Sequence, residues 1–320
     1  MKSPIIFVDK HHEGLFNSLI LLFEKRLGWK LYTQAGLQWY EEGLWNVYPS
    51  KDTAQQYLLR EVEKDHGITR EQFKKMNFDL ILCSIPQHIN PFKRLAEEKN
   101  SPLCYQIGNA WDIPNNIVKN VMASAKCIPP VQINYIEYHQ EFDLNIFYYE
   151  FPKNEKKIYS FINCLNTVDL YKKDWELFLE LEKLMPDWEF KSFGGQCRDG
   201  WCNSPQEVAD KMREATFIYQ SKKDADGFGH VIHSAMAIGR PLIVNYQDYK
   251  DKLAGSKLIP ATNCINVDNK SSQQISEEII YWSKSELLTE MGMNIYNKFK
   301  ELVNYDEEEK RIREFLSNLQ

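Results

Sequence analysis

The sequence predicts an α/β protein with two Rossmann-like domains facing a cleft. Short apolar, strand-like runs alternate with helix-patterned stretches from the start of the chain. The alternation begins afresh after a polar, proline-containing stretch, Tyr149 to Glu155. A length of 320 residues also exceeds what one hydrophobic core usually organises.

The first block opens with Pro4 to Val8, short, apolar and closed by Asp9, which reads as a buried strand. From Gly14 to Leu27 apolar residues recur at helical spacing, and Gly28 ends that helix before a short strand from Lys30 to Tyr32. Residues 34–76 are rich in Trp and Tyr and then helical (Thr53 to Asp65, Thr69 to Met76), predicting a helical insertion packed beside the cleft. Asp79 to Cys83 reads as a strand, Pro91 to Lys99 as a helix and Leu103 to Ile107 as a strand. Such alternation implies a parallel sheet with crossover helices.

The second block predicts strands at Lys157 to Asn163, Trp188 to Phe193, Thr216 to Gln220 and Pro241 to Asn245. Helices fall between them at Tyr171 to Leu184, Pro205 to Glu214 and Gly229 to Ile238, the second opened by Ser204 as N-cap with Pro205 in its first turn. The expected division is a first Rossmann-like domain over 1–150 and a second over 151–320. Two amphipathic terminal helices, Ser272 to Lys284 and Leu287 to Asn318, are expected to brace back to the first domain.

Composition narrows the classes. A net charge of −6, with both signs mixed along the chain, argues against a nucleic-acid coat. The seven cysteines are scattered, and Cys197 and Cys202 match no zinc knuckle, so a reducing compartment is the simplest context and no metal is expected. The apolar run at the N-terminus is too short for a signal peptide, and no stretch is long enough to span a bilayer. The expectation is a cytoplasmic protein. No Gly-x-Gly-x-x-Gly follows the first strand, which disfavours a dinucleotide dehydrogenase.

The chemistry concentrates in Asp226-Gly-Phe-Gly-His-Val-Ile-His-Ser-Ala-Met-Ala-Ile-Gly-Arg-Pro241. Gly227-Phe228-Gly229 makes a tight entry to a helix, and amides at such an entry, reinforced by the helix dipole, suit a diphosphate. Ala235, Ala237 and Gly239 keep the helix slim, and Gly239-Arg-Pro241 stops it.

The run resembles the donor-site signature of GT-B glycosyltransferases: an acidic residue, Gly-Phe-Gly, a short apolar run, Glu-Ala-Met-Ala, then Gly-x-Pro. The resemblance implies that Asp226 faces the donor sugar, that Gly227, Phe228 and Gly229 approach the diphosphate, and that Ser234 meets the ribose. Ser234 stands where retaining members usually carry Glu, so the stereochemical outcome stays open. His230 lies one turn earlier on the same face. Lys222 stands ready to balance phosphate charge, and Asn163, Gly194 and Gly195 follow strands toward the same cleft. Asp9-Lys-His-His-Glu-Gly14 follows the first strand, where His12, with His11 as second choice, is the candidate base for an acceptor hydroxyl. Asn109 and Trp111 are candidates for the acceptor side.

The reading is therefore a glycosyltransferase using a nucleotide-sugar donor, with no resident cofactor. Its acceptor is open among glycans, small molecules, proteins and modified nucleobases. A nucleotide-sugar epimerase of the same fold and an inactive binding module are the alternatives.

Overall fold

The computed structural model describes residues 3–9, 13–45, 50–60, 64–109, 117–125, 133–222 and 227–320. The chain forms two compact units, 1–142 with 305–320, and 143–304.

In the first unit, β1 (Ile5–Val8), β2 (Lys30–Gln34), β3 (Gly67–Ile68), β4 (Leu80–Cys83), β5 (Leu103–Ile107), β6 (Asn120–Ala123) and β7 (Asn134–Glu137) form one parallel sheet of order β3-β2-β1-β4-β5-β6-β7. Around it run α1 (Glu13–Leu19), continued by a π-helical segment Ile20–Arg26, then α2 (Gln38–Glu41), α3 (Lys51–Leu58), α4 (Arg70–Lys75) and α5 (Ile89–Lys99). Alternating side chains feed two cores. Phe7, Ile81 and Tyr105 join Trp39, Phe73 and Phe92 on one face, while Ile6, Leu82 and Cys104 join Phe16 and Phe23 on the other.

The described part of 34–76 is not purely helical and belongs to the first unit's sheet and core. Trp39 is fully buried, stacks 5.2 Å from Phe7, and donates its indole N–H to the Ile68 carbonyl of β3 at 3.0 Å. This stretch thus supplies an edge strand and part of the core, and a two-residue strand is too short to carry a period of two.

In the second unit, β8 (Lys157–Ser160), β9 (Glu189–Ser192), β10 (Phe217–Tyr219), β11 (Leu242–Val244) and β12 (Cys264–Asn266) form a parallel sheet of order β12-β11-β10-β8-β9. Its helices are α6 (Lys172–Leu184), α7 (Pro205–Glu214), α8 (His230–Ile238), α9 (Tyr246–Tyr249), α10 (Ser272–Trp282) and α11 (Ser285–Leu302). The predicted cap of α7 is present: Ser204 Oγ accepts the Glu207 N–H at 3.1 Å, and Glu207 accepts the Asn203 N–H at 2.7 Å.

The expected helix 287–318 is instead two helices, α11 and α12 (Tyr305–Ser317). Val303 between them is extended (φ −118°, ψ 116°), a conformation that suits a β-branched residue, and it ends the helical hydrogen bonding. Helix α12 belongs to the first unit. Ile312 and Phe315 enter its core, Asn134 donates to the Phe315 carbonyl at 3.3 Å, and buried Glu308 accepts both the backbone N–H and the Nδ1–H of His139, at 2.8 and 2.6 Å.

Candidate functional site

All strands of the second sheet run the same way, so their carboxyl ends share one edge, the usual ligand edge of an open α/β sheet. The loops after β8 and β9 are locked together there. Asn163 Oδ1 accepts the Gly195 N–H at 2.9 Å, and the Cys164 N–H reaches the Gly195 carbonyl at 2.8 Å. A Cβ on Gly194 (φ +137°) would stand 2.6 Å from Asn163 Oδ1, so this contact needs glycine. Cys164 (φ 60°) and Gln196 (φ 59°), in the same two loops, hold left-handed conformations, a strain that tends to gather at ligand sites. Trp201 packs beside Gly195, where its ring lies 3.2 Å from the position a Cβ would take, yet it remains 58% exposed. Arg198 is spent on structure: it pairs with Glu182 and Asp199 at 2.8 and 3.0 Å and donates to the Phe190 carbonyl at 2.6 Å.

Beyond β10, Ser221 Oγ donates to Asp174 at 2.8 Å and the Lys222 N–H to Asn245 Oδ1 at 3.3 Å, fixing the edge above α8. The Lys222 ammonium lies 5.5 Å from the centre of the Tyr171 ring. Helix α8 is entered through Gly229 in the left-handed region (φ 75°, ψ 55°), and having no side chain, this residue gives the first-turn amides no cap. Phe228 is buried and stacks on His233 at 4.0 Å, and the His233 Nδ1–H donates back to the Gly229 carbonyl at 3.0 Å. Aromatic wedge and histidine together hold the turn that enters α8.

The second half of the motif is architectural. Gly239 is left-handed (φ +80°), and a Cβ there would collide with the Tyr149 ring. Gly292 of α11 sits equally close, its hypothetical Cβ 2.8 Å from the Gly239 carbonyl, so α8 and α11 cross with little between them. Arg240 is fully buried and donates to the carbonyls of Glu150 at 2.6 Å and Arg213 at 2.8 Å. Burial pulls its pKa down to about 10.

The carboxyl edge of the first sheet holds a different constellation. Asp9, directly after β1, and His88, after β4, are both buried, and His88 Nδ1 lies 2.8 and 2.9 Å from the two oxygens of Asp9. Asp9 also accepts the Ser84 N–H at 3.2 Å. A carboxylate bound to Nδ1–H fixes the tautomer and orientation of this fully buried ring, which also stacks on Phe92 at 5.9 Å.

These two units are similar to solved structures. HepE from Anabaena in complex with UDP-glucose superposes with a TM-score of 0.71 at 13% identity, covering 99% of this chain and 100% of that one. A glycosyltransferase from Rickettsia africae gives 0.66 at 12% identity, and sucrose-phosphate synthase from Thermosynechococcus elongatus 0.64 at 11%, each covering 98% of both chains. The chain has a GT-B fold. No protein-family model matches the sequence, and no curated protein does.

In this GT-B fold Asn163, Gly194, Gly195 and Lys222 lie at the carboxyl edge of the second sheet. Gly227, Phe228 and Gly229 lead into α8, which carries His230 and a buried Ser234. Asn109 follows β5 in the first unit and is exposed. His11, His12, Trp111 and Asp226 lie outside the described residues. So do Asp224 and Ala225, which with Asp226 make an Asp-x-Asp spacing that bears on the expectation of no metal. Among the described residues no three His, Cys, Asp or Glu side chains gather as a metal-binding cluster, and no helix is long and apolar enough to cross a membrane. Pairing of Asp9 with His88 escaped the sequence; the one available signal was a histidine just beyond a fully apolar strand.

Proposed function

We propose that this protein is a glycosyltransferase that moves a sugar from a nucleotide-diphosphate donor to an acceptor hydroxyl. The observation that carries the reading is the uncapped, left-handed entry of α8 at Gly229, at the same sheet edge as Lys222 and the Asn163–Gly195 lock. Support comes from the fold, shared with a protein solved with UDP-glucose bound. The amides of Gly227, Phe228 and Gly229 would take the diphosphate, with Lys222 balancing its charge. Asp226 would face the sugar, while Ser234 and His230 serve the ribose. Trp201 is the proposed platform for the nucleobase, since an exposed ring beside a rigid loop stacks on any base.

The first unit supplies the base. His88, oriented by Asp9, would accept the acceptor's proton, with His12 as the second candidate. The reaction is proposed to run without a resident cofactor or metal ion.

The test is a panel of UDP-, GDP-, ADP- and dTDP-sugars, assayed for nucleoside diphosphate release with and without mixed acceptors. Release from one donor class, lost in Asp226→Ala, is the expected result. Conversion of the sugar with no acceptor would identify an epimerase, and binding without any turnover an inactive module.

A further inference from the structure

Polar side chains form a buried row along the carboxyl edge of the first sheet: Asp9 after β1, Ser84 after β4, Gln106 within β5, Ser124 after β6 and Gln140 after β7. Nothing in the proposed donor chemistry uses the last four. Their hydrogen bonds are one-sided. Gln106 Nε2 donates to Ser124 Oγ at 2.9 Å and to the Ile107 carbonyl at 3.2 Å, and Gln140 Nε2 donates to the same Ser124 Oγ at 2.7 Å. Ser124 passes its own proton to the Ile107 carbonyl at 3.3 Å.

This pattern fixes how the Gln106 amide points. A carbonyl can only accept, so the Gln106 atom beside Ile107 is its nitrogen. The Gln140 nitrogen faces the same Ser124 Oγ. Both amide oxygens therefore face away from Ser124. Gln106 Oε1, Gln140 Oε1 and Ser84 Oγ are all buried with no hydrogen-bond partner among the described residues. The Tyr138 hydroxyl, buried beside Gln106 and Ser124, has one proton and can satisfy only one of them. The ends of β4, β5 and β7 thus hold buried polar atoms with no more than one hydroxyl proton nearby to share among them, where each unpaired atom costs stability.

We propose that this row is the floor of an acceptor subsite for an uncharged, hydroxyl-rich ligand, a sugar or polyol, which donates hydroxyl protons to Gln106 and Gln140. The proposal rests on the glycosyltransferase reading and narrows its acceptor. Unpaired oxygens beside the Asp9 carboxylate repel phosphates and carboxylates but match the donors of a sugar, and a site built on buried acceptors rejects analogues that lack the matching hydroxyl. Asp9 ties the row to His88, because it binds both the Ser84 N–H and His88 Nδ1.

Saturation-transfer NMR of free hexoses, pentoses and glycerol against the full chain tests this, with UDP-induced thermal stabilisation followed in parallel. At least one compound is expected to bind the wild type, with its signal reduced about fivefold or more in Gln106→Leu and in Gln140→Leu, while Gln140→Glu, which keeps an acceptor oxygen, retains binding. UDP stabilisation stays unchanged in all three. A second arm needs no variant: O-methylated derivatives of the binding sugar lose the signal when a recognised hydroxyl is capped. If no compound binds, or if binding survives both leucine variants and every methylation, the row holds only solvent and the proposal is overturned. Failure of UDP to stabilise the wild type would sink the glycosyltransferase reading instead.

Discussion

His88 Nδ1 lies 2.8 Å from Asp9 Oδ1, inside the first unit, although the two residues are 79 positions apart in the chain. If His88 is the base, Asp9→Asn reverses the hydrogen bond that sets its tautomer, and His88→Gln removes the base. Both should lower turnover by about 10²- to 10⁴-fold while UDP affinity stays within about twofold, because the proposed donor site lies in the other unit. Steady-state kinetics beside calorimetric titration of UDP check this. Equal losses in both readouts would point to misfolding.

Trp201 is 58% exposed, so truncation should not disturb the core. Trp201→Ala is expected to weaken nucleotide binding by roughly 1–3 kcal/mol with the melting temperature unchanged. Unchanged affinity would remove Trp201 from the site.

Gly239 packs the α8–α11 crossing, and Arg240 ties the end of α8 to the Glu150 and Arg213 carbonyls. Gly239→Ala should cost about 1–3 kcal/mol through its left-handed backbone and the clash with Tyr149. Arg240→Met leaves the Glu150 and Arg213 carbonyls unpaired, at about 1–3 kcal/mol for each group. Denaturant titration of each variant gives the numbers, and a fall in donor affinity without loss of stability would contradict the assignment.

Arg70 is buried against the Trp39 and Phe73 rings and binds Glu42 at 2.9 Å as well as Glu98 through both guanidinium nitrogens. Its guanidinium holds the Glu98 carboxyl below the usual carboxylate range. A depressed acid stabilises the fold above its unfolded pKa and loses that contribution as pH falls through the folded one. Wild type should therefore melt above Glu98→Gln at pH 7, and the gap should close below about pH 4. Melting curves across that range decide it.

EDTA bears on the metal question that Asp224 and Asp226 raise. Turnover is expected to be unchanged after chelation and dialysis. Loss restored by added Mg²⁺ or Mn²⁺ would make the reaction metal-dependent.

Much of the fold was legible because buried parallel strands leave continuous apolar runs, as in Leu80–Cys83 and Leu242–Val244. Strands β6, β7 and β12 were not, because Asn120, Asn134 and Asn266 interrupt or end their apolar character, and these side chains serve hydrogen bonds made only in the folded chain, as Asn266 does in accepting the Tyr246 N–H at 3.1 Å. The α8 entry was readable from its glycines, one of which, Gly229, takes the left-handed backbone that favours glycine. Long-range pairs leave no such local mark, so neither the Asp9–His88 pair nor the Gln106–Ser124–Gln140 row showed in the sequence. The motif also mixed two roles that sequence alone does not separate: Gly229 shapes the proposed ligand edge, whereas Gly239 packs a helix crossing and Arg240 ties down the end of α8.

The central claim is that the entry of α8 binds a nucleoside diphosphate. Calorimetric titration with UDP, GDP, ADP and dTDP, each beside its monophosphate, tests it most directly. One diphosphate should bind about tenfold or more tighter than its monophosphate, the difference expected from charge-assisted bonds to the second phosphate. Failure of all four to bind, or equal binding of diphosphate and monophosphate, would contradict the account.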